Sequence, residues 1–346
     1  MNESVQEKVV TQLPQGFSVR GATLEDVQPA LELFNCWSRS VINEDELTDA
    51  VALRNEWVSP GFDPARDTCV VVAPDGTMVG YIEVWTTVKP PIHPWIWGRV
   101  HPDYGGLGIG TYLLQWAEEH ACQALPEVPE GIRFAPRIGI FRQAEKSKKL
   151  FEDLGYGPIR SFYQMRIDMD APPPMPVWPE GITLRTYNPE TDAKAVYLAD
   201  VEFFRDHYGF VEQPFEQGFA RFKHFMTEYE GFDPSLWFLA MDGDGIAGIS
   251  LCRLKAYDDP DVGYINILGV RRNWRKRGLG LALLQHSFVE LYRRGQRKAG
   301  LGVDAENLTG ALRLYEKAGM SVHMAFDQYE KEIRPGREIS VESLQE

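Results

Sequence analysis

The chain has 346 residues, a formal net charge of −14, and 44% hydrophobic, 12% aromatic and 25% charged residues. At roughly 150 residues per domain this predicts two domains with ordinary cores and excludes a disordered body. An acidic surface repels a phosphate backbone, no apolar run approaches the ~20 residues of a membrane span, and MNESVQEKVV lacks the features of a secretion signal, so no nucleic-acid or membrane partner and a cytoplasmic location are expected.

In chain order, the periodic stretch Leu24 to Phe34 predicts an early helix. Thr68 to Val72 and Met78 to Val84 are β-rich runs joined at Pro74-Asp75-Gly76, a hairpin pattern. A third strand, Trp95 to Val100, emerges from the proline- and tryptophan-rich Pro90 to Trp97, which reads as a packed edge. It leads into the glycine-rich run Gly105 to Gly110 and an amphipathic helix; a strand, a helix and a last strand follow. Met169 to Gly181 holds five prolines in thirteen residues and predicts a stiff linker. The pattern then recurs: a helix over Glu190 to Phe204, strands Leu236 to Met241 and Ile246 to Cys252 around Asp242 to Gly245, and a strand Tyr264 to Val270. The four cysteines, Cys36, Cys69, Cys122 and Cys252, have neither CxxC nor metal-ligand spacing, so neither a disulfide framework nor a bound metal is expected.

The recurrence is a duplication. Gly61-Phe62-Asp63-Pro64 returns as Gly231-Phe232-Asp233-Pro234, and Leu113-Leu114-Gln115 as Leu283-Leu284-Gln285, both at an offset of 170. Lys149-Leu150-Phe151-Glu152 answers Arg313-Leu314-Tyr315-Glu316 at an offset of 164, so one connection has lost six residues. The predicted fold is a mixed α/β (α+β) sandwich in tandem, each copy a mostly antiparallel sheet flanked by helices. The predicted boundaries are 14–168, a linker over 169–181, 182–334, and a tail over 335–346.

The sharpest motif is Leu268-Gly269-Val270 followed by Arg275-Lys276-Arg277-Gly278-Leu279-Gly280-Leu281. A strand ends, a basic loop with two spaced glycines follows, and a helix begins near Leu279. Glycine lets the backbone approach a phosphate, and the unpaired N–H groups of the first helical turn attract an anion. A dinucleotide fold needs GxGxxG, and here Leu283 stands at the third glycine; the GxxxxGK[ST] of a P-loop is absent.

R-x-x-G-x-G after a strand ending hydrophobic-Gly-Val resembles the acyl-CoA signature of the GNAT acetyltransferase superfamily. The resemblance continues through Asn307, Ala311, Leu314-Tyr315 and Ala318-Gly319-Met320. It spans essentially the whole chain as a tandem pair, with a layout similar to the mycothiol synthase family. The resemblance implies an acetyltransferase using acetyl-CoA as co-substrate and acting on an amine of a small molecule. It also implies that Leu268, Gly269 and Val270 hold the pantetheine arm, Arg275 to Leu281 cradle the pyrophosphate, Asn307 contacts the cofactor, and Tyr315 protonates the departing thiolate. The i, i+3, i+4, i+7 stripe of Ala311, Leu314, Tyr315 and Ala318 equally fits core packing of that tyrosine. Glu202, Asp206, His207, Asp258, Asp259 and Asp261 are candidate bases, none singled out. In the first half Gly105 stands for Arg275, Gln143 for Asn307 and Phe151 for Tyr315. Phenylalanine cannot donate a proton, so that copy is expected to be catalytically degenerate, with a second, weaker acyl-CoA site at Val100, Gly105, Gly106, Gly108 and Gly110. The alternatives are a non-catalytic acyl-CoA-binding sensor or scaffold, and an enzyme acting on a peptide or protein amine.

Overall fold

The computed structural model describes residues 12–229, 231–257, 259–307 and 310–342. The chain forms two compact units. The first comprises the described residues up to Glu46, Gly61–Gly157 and Tyr329–Arg337; the second comprises Leu47–Pro60, Pro158–Gln328 and the described residues from Glu338 onward.

The elements in chain order are β1 (Ser18–Arg20), α1 (Val27–Ile42), α2 (Ala50–Trp57), α3 (Pro64–Asp67), β2 (Thr68–Val72), β3 (Met78–Trp85), β4 (Trp95–Val100), α4 (Ile109–Cys122), β5 (Arg137–Phe141) and α5 (Glu145–Asp153). They continue as β6 (Gly157–Asp168), β7 (Ile182–Thr186), α6 (Ala193–Phe204), α7 (Phe215–Met226), β8 (Trp237–Asp242), β9 (Gly245–Arg253), β10 (Val262–Val270), α8 (Leu279–Arg293), β11 (Lys298–Asp304), α9 (Ala311–Lys317) and β12 (Ser321–Glu330). In the first unit the strand order is β1-β2-β3-β4-β5, and in the second β6-β11-β10-β9-β8-β7, with β12 next to β6. Among the described strand pairings, β4 with β5 and β10 with β11 are parallel, and β2 with β3, β3 with β4, β9 with β10 and β6 with β11 are antiparallel. This is the mixed sandwich the sequence predicts.

Period-two alternation builds the core of the second unit. On β8, Phe238 and Ala240 face α8, where Leu283, Leu284 and Phe288 are buried. The alternate residues Trp237, Leu239 and Met241 face α6 and α7, against Val196, Phe203 and Phe222. Both faces of the strand are covered, which is why β8 reads as an unbroken apolar run.

The units do not follow the half-chains. Pro158–Asp168 lies in the second unit because β6 pairs with β11 from Phe162↔Asp304 to Asp168↔Lys298. Tyr329–Arg337 lies in the first unit, where Arg133 donates through its backbone to Arg337 and Ile333 to Phe134. The proline-rich stretch 169–181 carries no helix or strand, yet it is anchored at both ends. Met169 is buried with its N–H donating to the Arg297 carbonyl, and Trp178 packs on the core beside His286. Among the described residues no helix is long and apolar enough to cross a membrane.

Candidate active site

In the second unit β10 and β11 pair only at Val262↔Lys298, Gly263↔Ala299 and Tyr264↔Gly300. Beyond Tyr264 the register with β11 ends, while β10 keeps its ladder with β9 as far as Val270↔Gly248, shifted by an irregularity between Ile265 and Ile267. Two parallel strands thus part midway and open a cleft of about 990 Å³. Leu268, Gly269 and Val270 line one side of it, and Leu301, Gly302, Val303 and Asp304 line the other. An open strand edge offers the main-chain donors and acceptors that an extended amide chain can pair with.

At the outer end of β10, a 3-10 turn over Arg272–Trp274 leads to Lys276 at φ 61 and Gly278 at φ 89, and α8 starts at Leu279. Gly278 supplies a left-handed turn that costs a residue with a Cβ about 1–2 kcal/mol. Lys276 bears that cost itself; the matching loop of the first unit has Gly106 and Gly108, both at φ 80, before α4. The loop leaves the first N–H groups of α8 at an exposed helix N-terminus, where an anion is favoured.

The basic residues divide their work in a way the sequence pattern does not show. Arg275 turns inward: its Nε donates to the Val270 carbonyl at 3.1 Å, Nη1 to Asp206 at 2.8 Å and Nη2 to the Phe203 carbonyl at 2.9 Å. It braces the loop against β10 and the end of α6. Arg277 lies 3.8 Å over the Trp274 ring, whose Nε1 donates to Asp242. Lys276 and Arg272 line the cleft beside Arg275, as does Gly280. Leu279 is fully buried, so only its backbone can serve a ligand, and Arg277, Gly278 and Leu281 are not among the lining side chains.

Tyr315 on α9 is 7% exposed and lines the cleft. Burial pushes its phenol up to about 12, so it is protonated at neutral pH. Asn307 also lines the cleft, with its Oδ1 accepting from the Ala311 N–H at 3.1 Å, which ties it to the start of α9. Asp304 receives both ends of the Arg160 guanidinium, at 2.9 and 2.8 Å. His207 lines the cleft; burial first, and the nearby Arg275 second, hold its imidazole below the usual value. Burial raises the Asp206 carboxyl, but its bonds to Arg275 and Arg272 outweigh that and hold it low. Glu202 pairs with Arg271 at 2.9 Å, and Asp259 lies 3.7 Å from Arg166. Asp261 donates its backbone N–H to Asp259, and Asp258 lies outside the described residues.

The first unit is built differently where the second has its cleft. Arg99, 170 positions before Gly269, is 4% exposed and lies 4.1 Å over both Trp37 and Trp97. It pairs with buried Glu46 at 2.7 Å. Its own parallel strands pair at Trp95↔Arg137 and Ile96↔Ile138 and likewise part beyond Ile96, so what sets this unit apart is Arg99 between Trp37 and Trp97. Gly110 stands against Leu150, and Phe151 is buried against Tyr156 and Tyr329.

Over residues 28–156 and again over 201–320, the chain matches the acetyltransferase (GNAT) family. The chain belongs to that family. It is 30% identical over 266 residues to a mycothiol acetyltransferase of Salinispora arenicola, covering 75% of this chain and 80% of the relative. It is 36% identical to the crystal structure of a GCN5-related N-acetyltransferase from Sphaerobacter thermophilus, with a TM-score of 0.79 over 95% of this chain and 99% of that one. A tandem GNAT protein from the clavulanic acid biosynthesis pathway shares the fold, with a TM-score of 0.68, 93% and 100% coverage, and 15% identity. As a tandem GNAT protein the chain is an acetyltransferase that takes its acyl group from acetyl-CoA.

Part of this GNAT cleft comes from distant segments that carry no motif in the sequence. Phe162, Tyr163 and Gln164 reach it from β6 of the first half-chain, Leu47 from before α2, and Phe326 from β12. Phe203, Phe204 and Tyr208 border it at the end of α6. The one available signal was at α6, where His207, a candidate base in the sequence, follows the end of the helix.

Proposed function

We propose that the second unit transfers the acetyl group of acetyl-CoA to the primary amine of a small molecule by direct attack, with Tyr315 as general acid. The observation that carries this is the parting of β10 from β11, with an anion-attracting helix N-terminus at its outer end and a buried phenol on its wall. The open edge of Leu268 to Val270 suits the amides of a pantetheine arm, and the amides following Gly278 suit the pyrophosphate. The amine nitrogen attacks the thioester carbonyl, and negative charge gathers on its oxygen. A main-chain N–H on the open edge of β10 is suited to receive that charge. Collapse breaks the carbon–sulfur bond, and the sulfur leaves with the proton of Tyr315. The phenolate regains a proton from the newly formed, still cationic amide nitrogen, directly or through water. The elevated phenol keeps the acid form available across the whole neutral range. The relatives named mycothiol acetyltransferases favour a small-molecule acceptor over a protein one.

The test is acetyl-CoA binding by calorimetry, followed by amine-dependent release of CoA thiol from wild type and Tyr315→Phe. Binding, turnover, and loss of turnover without loss of binding in the variant support the reading. A wild type that binds acetyl-CoA but never releases the thiol with any amine favours a sensor.

A further inference from the structure

We propose that Gln164 of β6 holds the acceptor amine, and that the acceptor is a small monoamine with an apolar or ring-shaped body. This rests on acetyl transfer taking place in the cleft of the second unit. Gln164 is 6% exposed, lines that cleft, and its Oε1 has no hydrogen-bond partner among the described residues. A buried carbonyl oxygen left unpaired is costly, and a ligand N–H recovers that cost. The terminal torsion of a carboxamide is soft, so the oxygen can turn toward the cleft with little strain.

The register sets where this oxygen acts. Gln164 pairs with Gly302 on β11, two residues past Gly300, where β10 and β11 last pair. Directly opposed residues of an antiparallel pair share a face. The hydroxyl of Tyr264 lies 3.5 Å from the point a Cβ on Gly302 would occupy, so it stands over that same face. Gly302 adds no side chain of its own to the face that carries Gln164 and the Tyr264 hydroxyl, at the point where the strands separate. An amine there can donate to Gln164 while its lone pair faces the split.

The surrounding walls fix the chemical class. Phe162, Leu301, Phe326 and Leu47 are apolar. Asp304 is the carboxylate lining the cleft among the described residues, and both its oxygens accept from Arg160. The remaining charged side chains, Arg272, Arg275 and Lys276, are cationic. Despite the net charge of −14, the cleft has no free acidic wall to receive a polycation.

The experiment measures CoA thiol release by the full chain with acetyl-CoA and either 2-phenylethylamine, tyramine or spermidine. The expected result is turnover of at least one of the two aryl amines and none above background with spermidine. Gln164→Leu should lower kcat/KM for that amine by roughly tenfold, with the KM for acetyl-CoA and the Tm unchanged. Gln164→Glu, which restores an acceptor oxygen, should recover most of the loss. A wild type that does not bind acetyl-CoA in calorimetry overturns the underlying acetyl-transfer reading. With acetyl-CoA bound and thiol released with some amine, three results overturn this proposal alone: no turnover of either aryl amine, preference for spermidine, or an unchanged kcat/KM in Gln164→Leu; bound acetyl-CoA with no thiol released by any amine overturns the acetyl-transfer reading instead. A Gln164→Leu that weakens acetyl-CoA and the amine together while lowering Tm also overturns it, because that is the signature of a packing role.

Discussion

Replacing Arg275 separates two roles for the basic loop. A phosphate ligand would matter only when acetyl-CoA is bound, whereas a brace matters in its absence. The Arg275 guanidinium donates to Val270 O, Asp206 and Phe203 O, with its side chain 23% exposed. A hydrogen bond from a charged donor contributes ~1.5–3 kcal/mol. Asp206 keeps Arg272 at 3.1 Å after the change, so its loss counts for little, and partial exposure reduces the other two. Arg275→Ala should therefore cost roughly 2–3 kcal/mol. In a unit of this size that lowers Tm by roughly 4–12 °C. Arg275→Lys should recover little, because one ammonium cannot span a strand carbonyl, a helix-end carbonyl and a carboxylate together. The assay is thermal unfolding without ligand, alongside acetyl-CoA titration. An Arg275→Ala protein that keeps its ligand-free Tm but loses affinity for acetyl-CoA refutes the brace and restores a direct phosphate contact.

Other consequences follow from single residues. Tyr315→Phe should reduce kcat by ~10²–10⁴ while leaving the KM for acetyl-CoA within twofold. With its phenol at about 12, Tyr315 is ~99% protonated at pH 10. The wild-type kcat should therefore show no alkaline decline through pH 10, and a fall to half by that pH contradicts a buried phenol as the acid. In the first unit, Arg99→Ala leaves Glu46 buried with its ion-pair partner removed, a change worth about 3–5 kcal/mol. Its unfolding midpoint in urea should drop accordingly, while acetyl-CoA turnover per folded molecule stays the same.

Much of this was legible because backbone constraints leave marks in sequence. The glycines at 108 and 278 sit where φ is 80 and 89, and the duplicated strand-loop-helix order reproduces the observed elements. What could not be read were contacts between residues far apart in the chain. The pairing of β6 with β11 joins residues over a hundred positions apart, so Gln164 and Phe162 entered the cleft unannounced. Charge patterning was ambiguous for the same reason. Arg275, Lys276 and Arg277 look alike in sequence, yet Arg275 braces the loop from the cleft wall, Lys276 lines the cleft beside it, and Arg277 stacks on Trp274. Gly269 and Arg99 likewise occupy matching positions, yet a Cβ at Gly269 would meet Phe203 at 2.9 Å whereas Arg99 is accommodated over Trp37 and Trp97.

The most direct test titrates acetyl-CoA into wild type, Gly278→Trp and Gly108→Trp. No atom stands within 4 Å of where a Cβ at Gly278 would project, so an indole there extends into open space at the start of α8, where the pyrophosphate is proposed to bind. Both variants strain a comparable left-handed turn, so any difference between them reports ligand position and not backbone cost alone. Wild type and Gly108→Trp should each bind one acetyl-CoA per chain, and Gly278→Trp none. Binding retained in Gly278→Trp and lost in Gly108→Trp would place the working site in the first unit and contradict its placement in the second.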